Sequence, residues 1–297
     1  MVRLSVVIAN YGPVDIVAPC LESLKEDHRQ GLIEVIVVDN HTPGFPVENF
    51  RRDFPWIRLV VRDCNRGFAV GSNAGIRMST GEFVLLLNPD TRVRPGTLRT
   101  MVDFLEHAPE VGAATCRVEL PDGSLDPASH RGFPTPWASL TYFLGLERLL
   151  PRSRIFSQYH LGWRMGNAIH EIDSPSGCFF LVRRPAIEQV GLLDEEYFLY
   201  GEDLDWAMRI KRAGWKICYN PAVAIVHLKG TTSGIKSATS ASCVSSPEAR
   251  ERAFKAFYDA MRIFYRKHYR RGSPLANWLV LAAIGFREWA GRRKMHV

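Results

Sequence analysis

The sequence has no apolar run long enough to cross a bilayer. The longest, Leu275 to Phe286 with Asn277 inside it, falls short of the roughly 20 residues a spanning helix needs. The opening MVRLSVVIANYG holds a brief apolar stretch that passes directly into a strand pattern, so no signal peptide is expected. Cysteine is sparse and scattered, at positions 20, 64, 116, 178, 218 and 243. No CxxC pair occurs and the spacings fit no zinc site, which leaves reduced, mostly buried thiols of a cytosolic protein. Two phosphate-binding loops are missing as well. No GK[ST] follows a glycine-rich stretch, and there is no GxGxxG. Internal repeats are absent. At 23% charged residues the composition excludes wholesale disorder.

The 297 residues, 46% of them apolar, are enough to bury a large core. One large domain with an appendage, or two small ones, fits that length. The net charge of +7 is unevenly placed. Arg250 to Val297 holds twelve Lys and Arg against three Asp and Glu, and the remainder is slightly acidic. A nucleic-acid-binding body should be basic, so no nucleic-acid partner is expected. The basic tail points to an anionic surface, such as a membrane.

Four apolar, β-branched runs, at 4–9, 33–39, 57–62 and 83–88, read as buried parallel strands. Helical spacing at Val17, Leu21 and Leu24, and a glycine-interrupted helix from Gly67 to Ser79, separate members of this series. The alternation predicts an α/β fold, an open, mostly parallel sheet flanked by helices. Ligands of such sheets bind beyond the carboxyl ends of the strands. Asp39-Asn40 and Asn88-Pro-Asp90 both fall on that rim. Further along, 97–108 reads as a helix, 113–119 as a strand and 120–136 as a loop. Residues 137–170, rich in aromatic and basic groups, read as an acceptor-facing insertion. A strand follows within 174–184, then helices at 185–190 and 202–213. KICYNP and AVAIVHL read as two short strands.

Several residues on this frame carry candidate chemistry. Asp90 after a buried strand suits a divalent cation held against a diphosphate, although Asn, Pro and Asp are also common turn formers. Asp39-Asn40 offers hydrogen bonds to a base or ribose, or simply ends a strand. In NRGFAVGSNAG (65–75), three glycines at spacing four bring backbone close to a neighbour, and Arg66 presents a fork for phosphate. The alternative is a helix packed tightly on the sheet. Glu202-Asp203 opens a helix, where acids suit the dipole; a general base needs one of them in the cleft. Asp205 and Arg209 read as a surface pair. His227 closes a strand and ligates a metal only if that strand end reaches the cleft.

SVVIANYG, VVDN (37–40), NRGFAVGSNAG (65–75), LLLNPD (85–90), SGCFFLVRR (176–184), LLDEEYFLYGEDLDWAMRIKRAGW (192–215) and VHLKGTTS (226–233) together, in this order, resemble glycosyltransferase family 2, and its bacterial rhamnosyltransferase-like members in particular. The resemblance implies a GT-A fold at 1–230. A Ser/Thr-rich linker or lid at 231–247 and a basic, amphipathic helical extension at 248–297 follow. It implies an inverting, metal-dependent transfer from a nucleotide diphosphate sugar, dTDP-L-rhamnose among the donors, to a glycan or lipid-linked hydroxyl in cell-surface polysaccharide synthesis. Asp203 becomes the base, with Glu202 beside it. Asn10, Asp39, Asn40, Arg66, Gly67, Asn73, Asn88 and Asp90 bind the donor, and Gly177 and Trp206 the acceptor. Asp90 and His227 hold Mg²⁺ or Mn²⁺. Asn88 departs from a strict DxD, supplying a carbonyl oxygen without charge.

Two other readings compete. A catalytically inactive nucleotide-sugar binder would lack the base, which Glu202-Asp203 supplies. A nucleotidyltransferase would open with a glycine-rich basic loop, which SVVIANYG is not. Two fates are open to the tail. Phe254, Phe257, Met261, Phe264 and Tyr265 form an apolar helical face, and Leu275 to Trp289 is apolar nearly all round. It packs as a hairpin on the body or on a second subunit in a homodimer, or it lies on the inner face of the cell membrane.

Overall fold

The computed structural model describes residues 2–164, 168–228, 247–270 and 272–295. The anticipated alternation is present. The first strand, β1 (Leu4–Asn10), leads to helix α1 (Val14–Arg29), β2 (Ile33–Asp39), α2 (Val47–Asp53) and β3 (Arg58–Val61). Then come α3 (Phe68–Met78), β4 (Phe83–Leu87), the short β5 (Thr91–Val93), α4 (Thr97–His107) and β6 (Val111–Glu119). An insertion carries α5 (Pro136–Phe143) and α6 (Leu146–Leu149). It is followed by β7 (His170–Glu171), β8 (Phe179–Arg183), α7 (Arg184–Val190), α8 (Glu202–Arg212) and β9 (Lys216–His227). Two 22-residue helices, α9 (Pro247–His268) and α10 (Pro274–Met295), complete the described chain.

All nine strands form one sheet in the order β3-β2-β1-β4-β8-β6-β9-β5, with β7 beside β9. The first four in that order run parallel; β2, β1 and β4 are buried on both faces, whereas β3, expected to be buried, is a part-exposed edge strand with Arg58 and Val61 at the surface. β8 enters antiparallel to β4 and to β6. The residues expected to make two short strands make the single strand β9. Asn220 and Pro221 lie inside it, and its register against β6 shifts between Cys116 and Arg117, so an irregularity in one strand was legible only as a break between two.

Helices cover both faces. On one, Leu21 and Leu24 of α1, Phe50 of α2 and Leu98 and Met101 of α4 pack on β1, β2 and β4. On the other, Ile76 of α3, Ala186 of α7 and Trp206 and Ile210 of α8 pack on the opposite side chains. Each fully buried Leu, Ile or Phe contributes about 1.5–3 kcal/mol. The glycine spacing in α3 has a steric cause. A Cβ on Gly75 would sit 2.4 Å from Val7 Cγ1, so only glycine lets α3 lie this close to β1.

The tail divides. Ala260, Ile263 and Phe264 of α9 pack on Tyr197, Leu204 and Met208 of the body. Ile284 of α10 packs on Phe254 and Tyr258 of α9. Asp205 is therefore not half of a surface pair. It is buried, and accepts from Arg209 Nε at 2.8 Å and from His268 Nε2 at 2.8 Å, pinning α9 to α8. Burial favours its neutral form, but His268 and Arg209 outweigh burial and hold the carboxyl below its usual range. The linker expected at 231–247 lies, up to residue 246, outside the described residues.

Candidate active site

Three parallel strands end together, and their last residues build the rim. Asn10 of β1 is the register partner of Asp39 of β2, and Asn88 follows β4. Asn10 Nδ2 donates to the Gly12 carbonyl at 2.9 Å, while its Oδ1 is buried without a partner. Asn40 Nδ2 donates to Asn65 Oδ1 at 3.1 Å and to the Gly67 carbonyl at 2.9 Å; its Oδ1 is also unpartnered. Buried acceptors of this kind normally find a donor, so these two mark places where a ligand group would complete the set. Asp39 is buried and accepts from Thr42 N at 3.2 Å.

β5 runs antiparallel to β9, and this pairing brings the end of β9 to the rim. His227 Nε2 lies 3.3 Å from Asp90 Oδ1, and its Nδ1 lies 3.7 Å from Asp126 Oδ2. All three are buried. Burial alone would depress the imidazole pKa. The neighbouring Cys178 sulfur, Asp126 and Asp90 outweigh it and raise the pKa well above the usual histidine value. Asp126 carries no sequence signal beyond a turn-forming Pro-Asp-Gly neighbourhood, and sequence reasoning missed it.

Across the cleft, α8 begins with Gly201 in a left-handed conformation, followed by Glu202 and Asp203. Asp203 Oδ2 accepts from Arg131 Nη2 at 2.7 Å and from the Gly177 amide at 3.1 Å. Arg131 also donates to the Pro175 carbonyl at 2.7 Å. Burial works against its charge, but Asp203 and Tyr159 prevail and keep it protonated. Glu202 is buried and its Oε2 has no partner. Burial, and after it the charge of Asp203, push its carboxyl from 4.5 up to about 8. Arg131 was also missed. A lone arginine in a loop punctuated by Gly and Pro gives no periodic signal that it is buried.

One cavity of about 1190 Å³ connects these groups. Asn10, Asn40, Gly67, Asn88, Gly177, Glu202, Asp203 and His227 line it, with Asp126 and Arg131. Five expected site residues are not among its lining groups: Asp90, which lies behind the rim against His227, and Asp39, Arg66, Asn73 and Trp206. Trp206 is completely buried on the core side of α8, where it donates to the Gly191 carbonyl at 2.9 Å and packs on Phe180. It has no surface to offer an acceptor. Asn73 spends its amide on Leu193 and Glu195, tying α3 to the segment before α8. Arg66 is exposed and does not line the cavity. Asp39 does not line the cavity, and its carboxylate accepts from the Thr42 amide.

The fold has solved counterparts. A structure of GalNAc-T7 with UDP, GalNAc and Mn²⁺ superposes with a TM-score of 0.57 at 15% identity, over 89% of this chain and half of that one. S. aureus TarS 1-349 in complex with UDP gives a TM-score of 0.53 at 15% identity, over 97% of this chain and 72% of that one. The likeness shows that the fold here is GT-A, with a helical C-terminal extension. A model of "Glycosyltransferase like family 2" matches residues 2–242. N-acetylglucosaminyl-diphospho-decaprenol L-rhamnosyltransferase of Mycobacterium tuberculosis (strain H37Rv) is 30% identical over 231 residues, 68% of each chain. Rhamnosyltransferase WbbL of Escherichia coli (strain K12) is 25% identical over 231 residues, 75% of this chain and 82% of that protein. The chain belongs to glycosyltransferase family 2, among rhamnosyltransferase-like members.

Proposed function

We propose that the protein is an inverting glycosyltransferase. It would take L-rhamnose from a deoxythymidine diphosphate donor and place it on a hydroxyl of a lipid-linked glycan, at the inner face of the cell membrane. The observation that carries this reading is a carboxylate, Asp203, facing across one cavity the polar ends of β1, β2 and β4.

Asn10, Asn40 and Gly67 would meet the nucleoside, and Asn88 and Asp90 would lie by the diphosphate. The acceptor oxygen attacks the anomeric carbon and its proton passes to Asp203. The bond from that carbon to the diphosphate oxygen breaks, and the nucleoside diphosphate leaves with the electron pair from the opposite face, inverting the configuration. Arg131 and the Gly177 amide hold Asp203 in place. Burial makes Glu202 hold its proton to higher pH than an ordinary carboxylate, while Arg131 and the Gly177 amide fix the Asp203 carboxylate at the cavity wall, so the role of base falls to Asp203.

A divalent cation fits the donor side. Asp90 supplies a hard oxygen 3.3 Å from His227 Nε2, and Asn88 on the same rim would add a side-chain carbonyl; the imidazole would ligate only on giving up its extra proton. No cluster of three metal-binding side chains exists among the described residues. Mg²⁺ commonly binds through one or two carboxylates with substrate phosphates completing its shell, which suits this arrangement. Bound there, it would neutralise charge growing on the leaving diphosphate.

The tail supports a membrane contact in part. α9 has its apolar face packed on the body, so that face is not free for lipid. α10 turns Leu275, Trp278 and Trp289 to solvent. No helix among the described residues is long and apolar enough to cross a membrane. A lying rather than a spanning helix matches this pattern. The test is product analysis with a panel of nucleotide sugars and a lipid-linked acceptor. Transfer releases a nucleoside diphosphate. Release of pyrophosphate, or donor binding with no release under any acceptor, would overturn the proposal.

A further inference from the structure

The cavity does not stop at the catalytic carboxylates. Beyond Asp203 and Gly177 its wall becomes almost wholly hydrocarbon: Leu140 and Phe143 of α5, Met261 of α9, and Val280, Ala283 and Ile284 of α10. A site for a sugar and a nucleotide alone does not need such a wall, because sugar recognition uses hydrogen bonds to hydroxyls.

The outer end of this apolar half is open. Trp137, Leu140, Tyr142, Leu144, Leu279 and Phe286 line the cavity and are also exposed, Leu144 at 63% and Phe286 at 64%. They form a mouth between α5 and α10. The two helices meet there, with the Arg287 guanidinium 4.6 Å from the centre of the Phe143 ring. Leu149 and Leu150 at the end of the insertion helices, and Leu275 and Trp278 in α10, are exposed as well. Soluble monomers rarely gather so many exposed apolar groups at one cavity mouth without a partner for them.

Charge narrows the choice of partner. Arg252 and Arg287 line the cavity, and neither forms an ion pair among the described residues. Arg148, Arg152 and Arg154 are exposed beside α6, and Arg292 and Arg293 at the end of α10. An occupant must therefore combine a long hydrocarbon chain, an anionic group near these arginines, and a hydroxyl that reaches Asp203. A second protein copy or a peptide groove would satisfy the outer surface. Neither explains why the apolar lining runs inward to the catalytic carboxylates.

We infer that this half of the cavity is a lipid channel. It takes the proximal part of a polyprenyl chain whose diphosphate lies by Arg252 and Arg287 and whose sugar hydroxyl meets Asp203. α5, α6 and α10 together form the face through which the lipid enters from a bilayer. The inference rests on the transferase reading above and adds the seat of the acceptor's lipid, the role of the α5–α6 insertion and the direction of entry.

Flotation of the full chain with phosphatidylcholine vesicles tests this. One set carries decaprenyl diphosphate, one carries phosphatidylglycerol at matched charge, and one carries neither. Binding to the polyprenyl set should exceed the charge-matched set by about tenfold in apparent affinity, or about 1.4 kcal/mol. L140E with F286E, both at exposed positions, should abolish that preference while nucleotide binding, read by thermal shift with dTDP, persists. L140Q with F286Q repeats the measurement without added charge and should show the same loss. Equal binding to the two anionic sets, or an unchanged preference in both double variants, overturns the channel. A dimer in solution that these variants dissociate also overturns it, because the face would then cover a second copy. Nucleotide binding without a polyprenyl preference sinks the channel and leaves the transferase reading standing; absence of both sinks the transferase reading itself.

Discussion

Replacing Arg131 with Met should destabilise the protein through one specific partner. The guanidinium and the Asp203 carboxylate are both about nine-tenths buried and lie 2.7 Å apart. Met fills similar volume but leaves the carboxylate charged with only backbone donors, from Gly177 and Leu204. Removing one member of a buried pair costs roughly 3–5 kcal/mol. Those amides offset part of the loss, and the Pro175 carbonyl keeps the Ser174 hydroxyl as a donor. The lower end, about 3 kcal/mol, is therefore expected. D203N alone should be milder, because Arg131 keeps the Asn carbonyl and Pro175 as acceptors. Adding D203N to R131M removes the uncompensated charge, so the double variant should recover at least about 1 kcal/mol relative to the sum of the single effects. Urea unfolding of the four proteins measures this. Effects that add within about 0.5 kcal/mol would refute the buried pair as described.

Glu202 gives a pH signature. Between the ordinary carboxylate value and about 8 the folded state keeps a proton that the unfolded state releases, so stability falls as pH rises through that window. E202Q should flatten that decline in thermal unfolding between about pH 5 and about pH 9; an unchanged slope would discount Glu202 as its source. W206A should lose about 3–5 kcal/mol of stability in the same assay, the cost of emptying a core aromatic site. A well-folded W206A with only a weakened acceptor KM would return this residue to the acceptor site. EDTA should abolish transfer, and Mn²⁺ or Mg²⁺ restore it, with H227A losing metal-dependent turnover; full activity in chelator would remove the cation from the mechanism.

What the sequence revealed and what it hid have physical explanations. β1, β2 and β4 were legible because buried parallel strands are apolar on both faces, β3 through its β-branched run although it lies exposed at the sheet edge, and α1 because Val17, Leu21 and Leu24 repeat at helical spacing. The rim followed, since strand order alone places Asn10, Asn40 and Asn88 together. β9 looked like two strands because Asn220-Pro221 resembles a turn, whereas the β6 ladder carries the chain through it with a register shift. Asp205 looked exposed because its partner His268 is 63 residues away, on a helix whose docking no local pattern encodes. The resemblance implied an acceptor contact for Trp206. Helical rotation instead turns it onto Phe180, and motif adjacency does not fix which face a side chain takes. Arg131 and Asp126 reach the site from the loop around a single 3-10 turn, Pro127–Ser129, where sequence spacing gives no geometry.

The central claim is that Asp203 takes the acceptor proton in a transfer that releases a nucleoside diphosphate. The direct measurement is turnover of D203N with a nucleotide sugar and acceptor, alongside its affinity for the nucleotide. Asn preserves shape and the contacts to Arg131 and Gly177 while removing the proton acceptor. Turnover should fall by at least ~10²-fold with nucleotide affinity largely retained. Near-native nucleoside diphosphate release by the folded variant would contradict the account.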